Sequence, residues 1–297
     1  MTERLDIAWV GLGEMGSRMA PRLAAAGHRT TAFDVNPAAL GSAASSGLVP
    51  ASSLAQALDG KQVAFSMLPH DGALLEIASD ACDMLIEGAV FIDMSTVSPR
   101  VSAKIACDLA ARGISYLRAP VSGSTALAEA GKLTVMVSGP QAAFDHCRSL
   151  LDVLGRSVHY LGGADEARTA KLVINTVVAG LNQSLAEALD LGRRGGLDWA
   201  DMLEMLGQSA AACPYVCSKL DKLKRREWLP AAATINLLAK DVRLILDLAR
   251  ETGTYMPATT TAGSVLSAME GRGCGALDIC SVVSFMGAMD EVERGPD

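Results

Sequence analysis

The chain has 297 residues and a formal net charge of −7, with half of its residues apolar and a fifth charged. These values indicate a globular protein of two domains and exclude wholesale disorder. The acidic balance argues against nucleic acid or an anionic membrane as the main partner.

The first predicted element is a strand, Leu5–Val10, that leads directly into the glycine turn Gly11-Leu12-Gly13-Glu14-Met15-Gly16. A helical segment ending at Gly27 follows, and then a second strand, Thr30–Phe33, that ends at Asp34. This order of strand, glycine turn, helix, strand and acid is the fingerprint of a dinucleotide-binding βαβ unit. The helix N terminus is predicted to bind the pyrophosphate, and the Asp34 carboxylate to accept hydrogen bonds from the adenosine ribose.

Asp34 also bears on the choice of cofactor. A carboxylate at that place repels a 2′-phosphate, and no arginine occurs in the Val35-Asn36-Pro37 segment that follows. The sequence therefore favours NAD over NADP, while leaving NADP use possible.

Three further strand-like runs follow at the spacing of a parallel sheet, separated by alanine-rich segments with helical periodicity: Val63–Leu68, Ala89–Met94 and Ile114–Leu117. Two more strand-like runs come after them, Leu133–Ser138 and Val158–Leu161, with a helix over Gln141–Leu154 between the two. This alternation predicts a doubly wound Rossmann domain over residues 1–163, in which the last pair of strands extends the sheet.

After Gly162-Gly163 the pattern becomes helical. A long helix over residues 166–194 is predicted to begin a second domain, residues 164–297, in which no convincing strand occurs. The remaining helical runs are Asp198–Leu206, Pro214–Arg225, Ala232–Glu251, Pro257–Met269 and Asp278–Val292. The predicted architecture is an α/β domain followed by an all-α domain, linked by the long helix.

The turns that follow the predicted strands hold candidate binding residues, because ligands of doubly wound sheets bind at the carboxyl ends of the strands. The Leu68-Pro69 turn is predicted to line the adenosine side of the cofactor. Further along the chain, the Thr96 hydroxyl could face the nicotinamide ribose. Alternatively, Ser95, Thr96 or Ser98 could simply cap the next helix. The Ser122-Gly123-Ser124 turn offers hydroxyls and N–H groups to a small anion, although polar loops of this kind are common.

Two lysines interrupt apolar helical segments. Lys171 lies four residues before Asn175, so both occupy one face of the long helix. A lysine there either extends to solvent or is held in a cleft, where partial desolvation suits it to general acid–base catalysis. For Lys240, which precedes Asp241, a solvated helix face is the simpler interpretation.

Other features point to a cytoplasmic enzyme without a metal. The seven cysteines form no CxxC pair and no disulfide framework, which indicates reduced thiols. The four histidines lack metal-ligand spacing, so no metal site is expected. No apolar run reaches the roughly 18 residues of a transmembrane helix, and no signal peptide is expected before the first strand.

Taken in order along nearly the whole chain, these motifs closely resemble the β-hydroxyacid dehydrogenase family, which includes the 3-hydroxyisobutyrate dehydrogenases. The motifs are Gly11-Leu12-Gly13-x-Met15-Gly16, Asp93-x-Ser95-Thr96-x-Ser98-Pro99, Ala119-Pro120-Val121-Ser122-Gly123, Lys171-x-x-x-Asn175 and Lys240-Asp241. The resemblance implies reversible hydride transfer between NAD and a small anionic β-hydroxyacid or its semialdehyde. It also implies a homodimer or homotetramer.

The resemblance assigns roles to individual residues. Lys171 would be the catalytic general acid and base, in a cleft between the domains, and Asn175 would hold the substrate or the lysine. The Ser122-Gly123-Ser124 turn would bind the substrate carboxylate. The residues expected to bind the cofactor are Gly11, Leu12, Gly13, Glu14, Met15, Gly16, Asp34, Leu68, Pro69, Thr96 and Lys240.

Two departures from the family pattern leave the substrate open. Ser124 stands where the family often has glycine, and Ala233 stands where many members have a phenylalanine that faces the substrate. Tartronate or succinic semialdehyde reductase, or a sulfonate-aldehyde reductase, therefore remains an alternative. An imine reductase and a non-catalytic NAD-binding module are weaker alternatives, because both usually lack the lysine found at Lys171.

Overall fold

The computed structural model describes residues 4–293, and side chains through residue 287. The chain divides into two compact units, Met1–Lys171 and Leu172–Asp297. The boundary lies inside a long helix, whereas the sequence pattern places it just before that helix, between residues 163 and 164.

The first unit is built on a nine-stranded sheet in the order β3-β2-β1-β4-β5-β6-β8-β7, with β9 paired to β8. The strands are β1 (Asp6–Val10), β2 (Arg29–Phe33), β3 (Val49–Pro50), β4 (Val63–Ser66), β5 (Val90–Asp93), β6 (Ser115–Arg118), β7 (Val121–Ser122), β8 (Leu133–Ser138) and β9 (Gly155–Gly162). Strands β1 to β6 pair in parallel, and β1 lies between β2 and β4. The strand order therefore reverses between β1 and β4, which is where doubly wound sheets bind their ligands.

One part of the sheet departs from the parallel pairing of β1 to β6. Strand β8 runs antiparallel to both β6 and β7, and only the β8–β9 pair is parallel again. The segment between β7 and β8 holds only a short helix, Thr125–Glu129, and a parallel crossover needs about a dozen residues or more. The prediction that the last strands extend the sheet is confirmed, and the structure adds that β8 is antiparallel to its neighbours β6 and β7.

Helices cover both faces of this sheet, as a doubly wound fold requires. They are α1 (Gly16–Ala25), α2 (Pro37–Ala43), α3 (Leu54–Leu58), α4 (Asp71–Met84), α5 (Pro99–Ala110), α6 (Thr125–Glu129) and α7 (Gln141–Leu154). Side chains of α1, α6 and α7 pack with Ile7 and Trp9 on one face, whereas those of α3, α4 and α5 pack with Ala8 and Val10 on the other. The alternation along β1 places successive residues on opposite faces, so one strand supplies two cores.

The second unit is helical throughout its described part. Its elements are α8 (Glu166–Arg194, which begins in the first unit), α9 (Trp199–Gln208), α10 (Pro214–Arg225), α11 (Ile235–Thr252), α12 (Pro257–Gly271), a 3₁₀ turn (Ile279–Ser281) and α13 (Val282–Glu293). Residues of α8 to α13 form one apolar core. The predicted α/β and all-α architecture is confirmed.

Helix α8 is long and rich in apolar residues. Among the described residues it is long and apolar enough to cross a membrane, by length and composition alone. The helix contains no strictly apolar run of that length, because it includes Asn175, Asn182 and Gln183, which are buried. Apolar residues of the same helix, such as Leu185 and Leu189, belong to the core of the second unit.

Candidate active site

In the glycine turn after β1, two of the three glycines are required by neighbouring backbone atoms of the protein itself. Gly11 has φ +96°, and a Cβ there would strike the carbonyl oxygen of Met67. A Cβ at Gly16 would strike the carbonyl oxygen of Gly11, so α1 could not begin as close to β1. Both positions exclude other residues because of the protein's own backbone.

Gly13 differs, because no protein atom lies within 4 Å of the place where its Cβ would stand. Nothing in the fold requires a glycine there. A ligand that approaches the backbone does require one, and the N terminus of α1 at Gly16 presents N–H groups with the positive end of the helix dipole. The turn thus fits the pyrophosphate of a dinucleotide.

Trp9 supports the turn from within the sheet, a role that the sequence patterns did not reveal. Its indole Nε1 donates to the carbonyl oxygen of Gly11 at 2.8 Å, and its ring stacks on Phe65 at 5.3 Å between centroids. Trp9 is fully buried. The hydrogen bond from Trp9 therefore fixes the orientation of the peptide group between Gly11 and Leu12.

The Asp34 carboxylate is fixed beside the same turn. The N–H of Leu12 donates to Asp34 Oδ2 at 2.6 Å, and the N–H of Asn36 donates to Oδ1 at 2.7 Å. The structure thus brings together the glycine turn and the acid that are twenty-two residues apart in sequence. The half-buried carboxylate is oriented by these two backbone N–H groups.

The Leu68 turn lies next to the glycine turn. The side chain of Leu68 is 3.3 Å from the place of a Cβ on Gly11, and the N–H of Leu68 donates to Ser95 Oγ at 2.8 Å. The neighbouring Pro69 is exposed. Two of the predicted cofactor turns are thus joined at the carboxyl ends of β1, β4 and β5.

The structure also decides which residue caps α5. Ser98 is the N-cap, since its Oγ accepts from the N–H of Val101 at 3.2 Å and donates to Asp71 Oδ2 at 2.6 Å. Ser95 serves the Leu68 turn instead. Thr96 is half-buried between them and is not the cap.

Two residues of the Ser122-Gly123-Ser124 turn have structural roles that are independent of any anion binding. Ser122 ends β7 and is half-buried, whereas Ser124 is exposed and caps α6, accepting from the N–H of Leu127 at 3.4 Å. Gly123 has φ +147°, and a Cβ there would come within 2.7 Å of Leu133. Ser124 therefore caps a helix and Gly123 is constrained by the neighbouring Leu133, whereas neither constraint applies to the side chain of Ser122.

A buried polar network lies at the carboxyl ends of β5 and β6, and its centre is Arg168. This guanidinium pairs with Asp93, donates from Nη1 to the carbonyl oxygen of Ser95 at 2.6 Å, and donates from Nη2 to Tyr116 Oη at 2.8 Å. Its Nε donates to Ser102 Oγ at 3.3 Å. The side chains of Arg168 and Asp93 are 1% and 0% exposed, so this charged pair is excluded from water.

The charges in this network are stable across the physiological range. Burial raises the pKa of Tyr116 to about 12, so its hydroxyl stays protonated. Burial alone would lower the pKa of Arg168, but Tyr116 and Asp93 outweigh it and raise that pKa. Arg168 therefore stays a charged guanidinium within this network.

Sequence reasoning missed Arg168, although one signal was present. Arg168 lies between Ala167 and Thr169 in a segment with an apolar face, one turn before Lys171. A charged residue at such a position of a helix can be buried as well as solvated. The residues that Arg168 contacts lie 52 to 75 positions away in the sequence. Lys171 itself is half-buried on the same helix.

In the second unit, the structure joins two predicted residues through a third. Asn175 of α8 donates from Nδ2 to Asp241 Oδ2 at 2.7 Å, and Lys240 Nζ lies 3.1 Å from Asp241 Oδ1. Asn175 is 7% exposed and Asp241 is 6% exposed. Asp241, which the sequence marked only as the neighbour of Lys240, contacts both side chains.

Other reactive groups in the described residues are not organised into a site. No group of three or more histidine, cysteine, aspartate or glutamate residues between 4 and 287 could hold a metal ion. All seven cysteines are free, and burial raises the pKa of Cys147 and of Cys280 to about 12, which makes both thiols unreactive.

Comparison with known protein families covers both units. Residues 6–162 match the model described as the NAD binding domain of 6-phosphogluconate dehydrogenase. Residues 166–286 match the model described as NAD-binding of NADP-dependent 3-hydroxyisobutyrate dehydrogenase.

Individual relatives span the same length. The 2-(hydroxymethyl)glutarate dehydrogenase of Eubacterium barkeri is 30% identical over 295 residues, which is 98% of each chain. The 3-hydroxyisobutyrate dehydrogenase of Pseudomonas aeruginosa is 38% identical over 208 residues, covering 69% of this chain and 70% of the other. The structure of Mycobacterium tuberculosis 3-hydroxyisobutyrate dehydrogenase with L-serine has a TM-score of 0.85 and 26% identity, covering 96% of this chain and 99% of the other.

Proposed function

Because this chain belongs to the β-hydroxyacid dehydrogenase family, we propose that it oxidises the primary hydroxyl of a small β-hydroxyacid, and reduces the corresponding semialdehyde, with Lys171 as general acid and base. It is an NAD(P)-dependent oxidoreductase. A substrate of the 3-hydroxyisobutyrate type is supported by the description of the family model that matches residues 166–286 and by the name of one relative.

The observation that carries the proposal is the place of Lys171. It lies one helical turn after Arg168, which is hydrogen-bonded to Ser95 and paired with Asp93 at the edge of the sheet that also holds the glycine turn. A half-buried amine is thus placed near the edge where the dinucleotide is expected. This location supports a role of Lys171 in proton transfer.

The nicotinamide of the bound cofactor supplies hydride acceptance in one direction and donation in the other. In oxidation, neutral Lys171 accepts the proton of the substrate hydroxyl. In reduction, protonated Lys171 polarises the aldehyde oxygen and returns the proton to it.

The remaining roles concern orientation. Ser122 and the N–H of Gly123 hold the substrate carboxylate, so that binding also aligns the reacting carbon. Asn175, oriented by Asp241, holds the substrate or Lys171. Thr96 and the Leu68-Pro69 turn line the cofactor, and Lys240 covers it.

Two further proposals follow the same resemblance. The Asp34 carboxylate repels a 2′-phosphate, so NAD is preferred to NADP. We also propose a cytoplasmic homodimer or homotetramer, which sedimentation measurements would distinguish from a monomer.

Replacement of Lys171 tests the proposed mechanism. We expect Lys171→Ala to lower kcat for NAD-dependent oxidation of 3-hydroxyisobutyrate by about 100-fold or more, the range that a positioned proton-transfer group contributes. Lys104→Ala is the matched control, because Lys104 is an exposed lysine of α5 in the same unit. Near wild-type turnover in Lys171→Ala, with the same turnover in the control, would contradict the role of Lys171.

A further inference from the structure

The start of α8 is attached to the sheet by more polar contacts than a helix of the core requires. Arg168 uses three nitrogens, Nε, Nη1 and Nη2, to reach Ser102, Ser95 and the pair of Asp93 and Tyr116. These partners belong to α5, to the segment after β5, to β5 itself and to β6. A planar guanidinium bound at all three nitrogens fixes both the position and the rotation of the residue that carries it.

We propose that Arg168 is a positioning residue of the reaction, which holds the first turn of α8 so that Lys171, one turn further on, stands at its working place. The inference rests on the proposed role of Lys171. Residues three positions apart on a helix lie on neighbouring parts of one face, so a rotation of α8 about its axis that moves one moves the other.

The energetic cost of this arrangement favours positioning over simple stability. Burying an ion pair removes two charges from water, and well-packed apolar residues of the same size commonly stabilise a fold as well or better. The ion pair adds a fixed orientation of the helix. An apolar contact tolerates rotation of the helix, whereas a guanidinium that is hydrogen-bonded through three nitrogens does not.

A second set of contacts holds the same turn. Ser138 of β8 donates from Oγ to the carbonyl oxygen of Ala164 at 2.8 Å and accepts from the N–H of Ala167 at 3.1 Å. Arg118 of β6 donates from Nε to Asp165 Oδ1 at 2.9 Å and to Ser102 Oγ at 3.2 Å. The first turn of α8 is therefore fixed from β5, β6 and β8 together.

The same carboxylate connects the helix to the cofactor turns. Asp93 Oδ1 accepts from Ser66 Oγ at 2.7 Å and from Ser95 Oγ at 2.5 Å, and Ser95 Oγ in turn accepts from the N–H of Leu68. Arg168 thus holds Lys171 in register with the Leu68 turn and with the segment that carries Thr96. A change at Arg168 should misplace the amine relative to the reacting carbon without abolishing cofactor binding.

The test uses the full-length protein and graded variants. Arg168→Lys keeps the charge beside Asp93 but cannot contact four partners at once, and Tyr116→Phe removes one hydrogen bond from Nη2. Lys61→Met is the matched control, because Lys61 is a buried cation of the same unit that pairs with Asp6 at 2.8 Å at the amino ends of the strands.

Two readouts are measured for each variant. Amide hydrogen exchange of the unliganded protein reports the first turn of α8, and we expect Arg168→Lys to speed exchange over residues 166–172 by about tenfold while β1 and β4 stay protected. Steady-state kinetics with NAD and 3-hydroxyisobutyrate should show kcat lowered by about 10- to 100-fold, as misplacement of a reacting group predicts, with KM for NAD changed less than about threefold. Tyr116→Phe should shift both readouts in the same direction by a smaller factor, and Lys61→Met should shift neither.

The results separate this inference from the proposed function. Wild-type exchange over residues 166–172 and wild-type kcat in both Arg168→Lys and Tyr116→Phe, with Lys171→Ala inactive, would overturn the positioning role alone. Wild-type turnover in Lys171→Ala would overturn the role of Lys171 itself. If Arg168→Lys does not fold, Tyr116→Phe decides the question by the same two measurements.

Discussion

At the scale of single residues, the three glycines of the turn after β1 serve different purposes. Gly11 and Gly16 are required by neighbouring backbone carbonyls, whereas Gly13 faces no protein atom within 4 Å. A shared motif thus combines two requirements of the fold with one of the ligand.

Alanine replacements separate these requirements. We expect Gly11→Ala and Gly16→Ala each to lower the free energy of unfolding by about 1–3 kcal/mol, because the new methyl group meets a backbone oxygen. Gly13→Ala should leave the unfolding free energy within about 0.5 kcal/mol and raise KM for NAD by about tenfold or more. Urea denaturation and NAD titration measure the two effects, and a strongly destabilised Gly13→Ala protein with normal NAD affinity would reverse this interpretation.

Asp34 is the residue that should set cofactor choice. Its two oxygens accept from Leu12 and Asn36, which holds the negative charge beside the turn. We expect Asp34→Asn, which keeps the shape and loses the charge, to move the ratio of kcat/KM for NAD over NADP toward NADP by about tenfold. An unchanged ratio, measured with both cofactors under one set of conditions, would show that Asp34 does not discriminate between them.

At the scale of elements, sequence patterns predicted local features well and long-range ones poorly. Helices α7, α8 and α10 begin and end at the predicted residues, because apolar periodicity and capping signals are local. The short strands β3 and β7 were not predicted, since two residues carry no periodicity. The sequence patterns predicted no direction for β8, which the structure shows to be antiparallel to β6 and β7.

The candidate site shows the same division. The glycine turn and Asp34 are recognisable because their residues are close in sequence or belong to one βαβ unit. The contacts of Arg168 with Asp93 and Tyr116, and of Asn175 with Asp241, join residues that are 52 to 75 positions apart. Only the folded chain reveals them.

The loop before the 3₁₀ turn provides a prediction about pH. Asp278 is fully buried, accepts from the N–H of Ala232 at 2.8 Å and of Cys280 at 3.0 Å, and lies 3.3 Å from Lys222 Nζ of α10. Burial alone would raise the pKa of Asp278, but the N–H donors outweigh it and hold that pKa below the ordinary value of 3.8. The charged carboxylate therefore holds α10, the segment before α11 and the 3₁₀ turn together more strongly than its protonated form would.

Since the folded pKa of Asp278 lies below the unfolded one, its stabilising contribution is complete above about pH 4 and is lost as the pH falls toward the folded pKa. We expect Asp278→Asn to lower the free energy of unfolding by about 1–3 kcal/mol at pH 7 and by less at pH 3. Urea denaturation across this range measures the difference between the two proteins. A difference that stays constant from pH 7 to pH 3 would show that the charge of Asp278 does not stabilise the fold.

At the scale of the whole molecule, the two units supply different parts of the proposed enzyme. The doubly wound unit holds the glycine turn, Asp34 and Lys171, and the helical unit holds Asn175 and Lys240 around Asp241. Family membership establishes the class of reaction, whereas an influence of Ala233 on the choice of substrate stays an implication of the resemblance.

Turnover of a panel of small hydroxyacids with NAD and NADP in parallel tests the central claim most directly. The panel contains 3-hydroxyisobutyrate, L-serine, glycerate and 3-hydroxypropionate, and the readout is formation of the reduced cofactor by wild-type protein and by Lys171→Ala. We predict that wild-type protein oxidises at least one of these acids, faster with NAD than with NADP, and that Lys171→Ala is slower by about 100-fold or more. No turnover of any β-hydroxyacid with either cofactor, or equal turnover by Lys171→Ala, would contradict a lysine-dependent β-hydroxyacid dehydrogenase.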